Sequence, residues 1–156
     1  MKSLTLFRHA KTERDSTTGR DFDRRLADRG REDAKRIGAE IHKLDLAFDL
    51  ILSSPAARAA ETAELAGLTP RFDQRIYDAS TGELLAIVQE ADAVVERLAM
   101  VGHNPGFERL ASRLVGNNIE MPTGSFVEIE LPVDDWKEVG SGEGRVAHFL
   151  RPKDLD

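Results

Sequence analysis

At 156 residues, with 40% hydrophobic, 32% charged and 6% aromatic side chains, the chain has the composition of a globular protein and the length of one domain, 1–156. A net charge of −6 argues against binding nucleic acid, whose affinity is built from neutralised phosphates. The absence of cysteine excludes disulfides, thiolate metal sites and a cysteine nucleophile, and no apolar run is long enough to span a bilayer. Met1-Lys2-Ser3 leads directly into a strand pattern with no signal-like stretch, so a cytoplasmic location is expected.

Leu4-Thr5-Leu6-Phe7 is an apolar run that stops at Arg8-His9-Ala10, which predicts a first strand ending in two charged or titratable side chains. Arginine is dense from Arg8 to Arg36, through the loop that follows and into the next element, where Arg14, Arg20, Arg24, Arg25, Arg29 and Arg31 are balanced by Asp15, Asp21, Asp23, Asp28 and Glu32. Most of these charges are expected to form a solvated surface, with Arg24 paired to Asp21 or Asp28. Ala34, Ile37, Ile41 and Leu44 then recur at helical spacing, predicting a helix over 28–44 with His42 on its outer face.

Asp49 to Ser53 predicts the second strand, after which Ser54-Pro55 has the form of an N-cap followed by proline at the first helical position. That helix should run to about Ala66 and stop at Gly67. A weak strand at Arg71-Phe72-Asp73 and a helix over 81–91 come next. Leu98 to Val101 forms another apolar run, ending at Gly102-His103-Asn104-Pro105-Gly106, where a second N-cap and proline pair opens a helix. Phe107, Leu110, Ala111 and Leu114 give that helix its apolar face, and Gly116 ends it. Phe126 to Leu131 alternates as a strand, and a turn at 132–135 leads into Trp136, expected to cover a small hydrophobic cluster. Residues 145–150 form a last strand, on which His148 is expected to share a face with Val146 and Leu150. Strands alternating with helices imply right-handed crossovers, a mostly parallel sheet with an antiparallel member, and a three-layer α/β/α sandwich.

If the strands ending at Phe7, Leu52 and Val101 are neighbours, His9, His103, Arg8 and Arg58 leave the same edge of one sheet, where open α/β sheets bind ligands. Two helix N-termini point to the same place, and their free N–H groups favour an anion. Arg58 can hold two phosphoryl oxygens at once through its planar fork. A neutral His9 can attack phosphorus in line, provided its other nitrogen donates to a backbone carbonyl. His103 is expected to serve as an imidazolium, so activity should have two pH limbs.

Arg8-His9-Ala10-Lys11-Thr12, Leu26-Ala27-Asp28-Arg29-Gly30, the stretch from Ser53 to Thr62 and Val101-Gly102-His103-Asn104-Pro105-Gly106 resemble, in order and spacing, the motifs of the histidine phosphatase superfamily. The short length and the form of the last motif are most similar to the small SixA-type phosphohistidine phosphatases. The resemblance implies a phosphoglycerate mutase-like fold, His9 as the phosphate-accepting nucleophile, and Arg8, Arg58 and His103 as the phosphate pocket. It implies no metal and no cofactor. Asn104, Arg24 and Thr12 fall where they could reach the phosphate edge, and Asp78 is the one match to the general acid of larger relatives. Ala10 and Ala27 stand where glycine and threonine are common in the superfamily; both are small.

The expected substrate is protein phosphohistidine or a small phosphoester, with phosphate, sulfate or vanadate as site ligands. A phosphomutase on the same fold and a non-catalytic phosphate-binding relative are the alternatives. A metal hydrolase using His9 and His103 would need carboxylates where the motifs supply arginines.

Overall fold

The computed structural model describes residues 1–140 and 142–156. Among these residues six strands form one sheet: β1 (Lys2–Arg8), β2 (Leu50–Ser53), β3 (Arg71–Phe72), β4 (Arg97–Gly102), β5 (Phe126–Leu131) and β6 (Arg145–Leu150). Four helices accompany them: α1 (Asp28–Lys43), α2 (Ala57–Leu65), α3 (Thr81–Gln89) and α4 (Gly106–Val115). Strand order is β3-β2-β4-β1-β5-β6. The first four are mutually parallel, and β5 and β6 each run antiparallel to a neighbour.

Alternation along the buried strands supplies two apolar faces, each of which must be covered. Leu4, Leu6, Leu98, Met100, Val127 and Ile129 pack against Leu84, Val88, Phe107, Leu110 and Leu114 of α3 and α4. Phe7, Val101 and Phe126 pack against Ile37 and Ile41 of α1 and Ala59 and Ala63 of α2. The result is the expected three-layer α/β/α sandwich.

Chain direction places the site. From β1 the chain crosses to β2, moves outward to β3, and returns so that β4 lies between β2 and β1. Register aligns the C-terminal ends: Arg8 pairs with Gly102 and Ser53 with Val101. The loops after β1, β2 and β4 therefore leave one edge together. A close approach locks the loop after β1 onto α1: a Cβ on Gly30 would lie 2.0 Å from the Lys11 carbonyl oxygen. Gly124, at φ +77°, donates its N–H to the His9 carbonyl at 2.8 Å, in a left-handed conformation that glycine adopts without strain.

Four local expectations change. Neither proline occupies the first helical position: α2 begins at Ala57 with Ala56 as N-cap, and α4 at Gly106 with Pro105 as N-cap. Ser54 spends its hydroxyl on the Ala56 N–H at 3.2 Å rather than on α2, whereas Asn104 Oδ1 still reaches the third helical N–H, that of Glu108, at 3.2 Å. The helix after Ser80 ends at Gln89; its N-terminus is fixed by a reciprocal Ser80–Glu83 capping box. Trp136 is fully buried in the main core rather than over a small cluster, its indole N–H donating to the Val95 carbonyl at 2.8 Å. A register shift on β6 pairs Val146 with Ile129 and His148 with Glu128, so Ala147 is the extra residue. His148 and Val146 thus face opposite ways, and His148 meets the buried Glu128 carboxylate at 2.7 Å.

Candidate active site

The loop after β1, which carries His9, is held from several sides. His9 N–H donates to the Gly102 carbonyl at 3.0 Å and Ala10 N–H to Thr62 Oγ1 at 3.0 Å. Thr62 Oγ1 in turn donates to the Arg58 carbonyl at 2.7 Å, tying the loop to the first turn of α2. His9 Nδ1 lies 2.8 Å from the Ala10 carbonyl oxygen. A carbonyl can only accept, so Nδ1 carries the proton and Nε2 presents a lone pair.

Burial pushes His9 down to about 4; the bond to Ala10 opposes that shift, and the positive charges of Arg58, Arg8 and Arg24 add to it. His103, whose ring centroid is 5.3 Å from that of His9, is pushed to about 3 by burial, then by Arg58 and His9. Both rings are neutral near pH 7 in the anion-free site, so His103 does not stand as an imidazolium before phosphate binds. Ser54 explains how a neutral ring can still donate. Its hydroxyl oxygen accepts the Ala56 N–H and sits 2.8 Å from His103 Nε2. The hydroxyl proton is free to go to Nε2, which leaves the proton of His103 on Nδ1.

Among the described residues, three buried side-chain polar atoms have no hydrogen-bond partner, and two belong to this site: Arg8 Nε and His103 Nδ1. Arg8 Nη1 donates to the Met121 carbonyl at 2.7 Å. Arg58, 7% exposed, donates from Nη1 to the Asp21 carbonyl at 2.8 Å and from Nη2 to Asp21 Oδ2 at 2.9 Å.

Arg58, His103, Asn104 and Asp78 line one cavity of about 190 Å³, together with Asp21, Tyr77, Ala79 and Pro105. Arg8 lines an adjoining open groove of about 560 Å³ with Glu108, Glu120, Met121 and Pro122; Asn104 and Pro105 border both. Of the other expected site residues, Thr12 accepts from Arg24 Nη2 at 2.6 Å, and Arg24 Nη1 pairs with Asp21 Oδ1 at 3.1 Å. Neither lines the cavity. The Asn104 amide is committed to structure, donating to Glu108 and to the Met121 carbonyl, each at 2.9 Å. Asp78 is exposed and sits at φ 55°.

Sequence reasoning placed Asp21 only as an ion-pair partner for Arg24 and missed Tyr77 and Ser54. Tyr77 donates its hydroxyl to Asp21 Oδ2 at 2.8 Å, sets its ring edge-on to His103 at 5.6 Å, and lies under the Arg58 guanidinium at 5.9 Å. The signal available for it was its place beside Asp78 as the only tyrosine. Among the described residues no group of three or more His, Cys, Asp or Glu side chains could hold a metal ion, and no helix is long and apolar enough to cross a membrane.

Residues 4–110 match the family model of the histidine phosphatase superfamily, branch 1. The chain belongs to that superfamily. An uncharacterised chloroplastic protein of Arabidopsis thaliana is 30% identical over 170 residues, covering 97% of this chain and 78% of the relative. A solved candidate phosphohistidine phosphatase SixA from Agrobacterium tumefaciens superposes with a TM-score of 0.83 at 26% identity, covering 97% of this chain and 98% of that one. The protein histidine phosphatase SixA solved with tungstate superposes with a TM-score of 0.84 at 19% identity, covering 99% of each chain. Superfamily membership accords with the order in which His9, Arg58 and His103 leave the sheet edge.

Proposed function

We propose that this chain is a metal-independent phosphatase that takes a phosphoryl group onto His9 and passes it to water, acting on phosphohistidine carried by a protein. The observation that carries the proposal is the His9 tautomer: Nδ1–H is anchored on the Ala10 carbonyl, so Nε2 is an unprotonated nucleophile beside Arg58 and His103. In the first step Nε2 forms a bond to phosphorus and the leaving atom departs with its electron pair. Water then attacks phosphorus, the bond to Nε2 breaks, and phosphate leaves. Arg8 and Arg58, with Nδ1–H of a neutral His103, hold the equatorial oxygens, and the unpartnered Arg8 Nε and His103 Nδ1 are the donors such oxygens would satisfy.

Two features support a protein-borne phosphohistidine. The cavity has room for a phosphoryl group and a small ring, and it continues past Asn104 and Pro105 into an open groove able to take the surrounding chain. Asp78 is exposed, and among the described residues its side chain has no hydrogen-bonded neighbour to set it as a proton donor, which suits a leaving group that needs none. The tungstate held by the SixA neighbour is an oxyanion of the kind this pocket would take.

Acid-quenched enzyme caught during turnover of a phosphohistidine peptide should carry an acid-labile, base-stable phosphate on His9. His9→Ala should fold and be inactive. Undiminished turnover by that variant would refute the covalent route.

A further inference from the structure

Asp21 sits on the wall of the cavity, from a 3-10 turn at Asp21–Asp23 that no motif assigns a role. Its Oδ2 accepts from Arg58 Nη2 at 2.9 Å and from the Tyr77 hydroxyl at 2.8 Å, and its Oδ1 accepts from Arg24 Nη1 at 3.1 Å. An ionised carboxylate offers about four acceptor positions, so about one remains, on a side chain that is 52% exposed. Burial opposes ionisation here, but the hydrogen bonds from Tyr77, Arg24 and Arg58 outweigh it and bring the carboxyl down to about 2. At any working pH Asp21 therefore accepts and never donates. That is the reverse of what a general acid needs.

We propose that Asp21 is a specificity-determining residue: it accepts a hydrogen bond from the remote ring N–H of a phosphorylated imidazole and turns away phosphoesters bearing a carboxylate near the phosphoryl group. The inference rests on the phosphohistidine reading above. The chemistry balances without an acid. As His9 Nε2 bonds to phosphorus, the substrate P–N bond breaks and its electron pair stays on the departing ring nitrogen. The substrate enters with its ring protonated, as a phosphoimidazolium, so the remote nitrogen brings its own proton; that proton stays in place, held by Asp21, and a neutral imidazole leaves. An alkoxide would need a proton that Asp21 does not have. A phosphoester with its own carboxylate would set like charge against Asp21, whose field is strengthened by a partly enclosed cavity.

The test compares kcat/KM for a phosphohistidine peptide, phosphoserine acetylated at its amine so that its carboxylate has no ammonium beside it, and phenyl phosphate in the parent, Asp21→Asn and Asp21→Glu, with phosphate-dependent thermal stabilisation used to verify an intact pocket. Phenyl phosphate carries neither the N–H nor the carboxylate, so it absorbs any loss that comes from shifting Arg58. In Asp21→Asn the phosphohistidine to phenyl phosphate ratio should fall about tenfold and the phosphoserine to phenyl phosphate ratio should rise about threefold. Asp21→Glu keeps charge and acceptor and should continue to discriminate against phosphoserine. Proportional loss on all three substrates would overturn the proposal, leaving Asp21 as a mere holder of Arg58; so would unchanged ratios. If the parent hydrolyses phenyl phosphate but not the peptide, the phosphohistidine reading fails by itself. The phosphoserine ratio then decides the charge role: a rise supports it and no change overturns it.

Discussion

Lowering the pH from neutral to about 5 should destabilise the fold through its two buried site histidines. In the unfolded chain His9 and His103 have an ordinary pKa near 6.5, while in the fold burial holds them at about 4 and about 3. At about pH 5 the unfolded state therefore binds close to two protons that the folded state refuses, and stability falls as pH falls. Integrated from about pH 7.5 to about pH 5, the loss is about 2 kcal/mol for each ring and about 4 kcal/mol for the pair. That is a large share of the roughly 5–15 kcal/mol that holds a typical domain together. Asp21, held at about 2, keeps its charge across this window and contributes nothing to the slope. Urea titrations followed by fluorescence of the fully buried Trp136 at the two pH values measure the difference directly. His103→Asn should lose about half of the pH dependence, because one of two refused protons is gone. Equal stability of the parent at both pH values, or an undiminished slope in the double variant His9→Asn/His103→Asn, would refute the assignment of neutral buried rings.

Further outcomes follow from the same geometry. Arg58→Lys keeps the charge but loses the fork that now spans the Asp21 carbonyl and carboxylate, so transition-state stabilisation should fall by about 2–4 kcal/mol, read as kcat/KM. Because both histidines are neutral at rest, kcat/KM corrected for substrate ionisation should show an acid limb near the His9 value of about 4 and no alkaline limb from His103; a limb near pH 7 removed by His103→Asn would contradict this. A chelator should leave turnover unchanged while vanadate competes with substrate more strongly than phosphate or sulfate, since it can adopt five-coordination on His9 Nε2. Loss of activity in chelator with recovery on adding zinc would return the metal-hydrolase alternative.

The elements and the motif-bearing core of the site are legible from local sequence. Apolar runs ending at Arg8-His9, Ser53-Ser54 and Gly102-His103 carry strand periodicity and a stop in adjacent residues, so both the strand and the side chain at its tip are local facts. Helices α1, α2 and α4 were legible for the same reason, from a 3.6-residue apolar repeat and a terminal glycine or turn residue. Contacts between distant loops, and the electrostatics that burial creates, arise only once the chain is folded. Asp21 meets Arg58 and Tyr77, His103 meets Ser54, and Arg8 meets the Met121 carbonyl, each across a separation of 37 residues or more, which no local period encodes. The extra residue at Ala147 turned Val146 away from His148, because a bulge shifts strand parity without any mark in composition. The protonation of His103 in the anion-free site is likewise set by the tertiary structure: a histidine among arginines suggests a charged anion binder, but desolvation of a ring 8% exposed, with Arg58 beside it, favours the neutral form until an anion arrives.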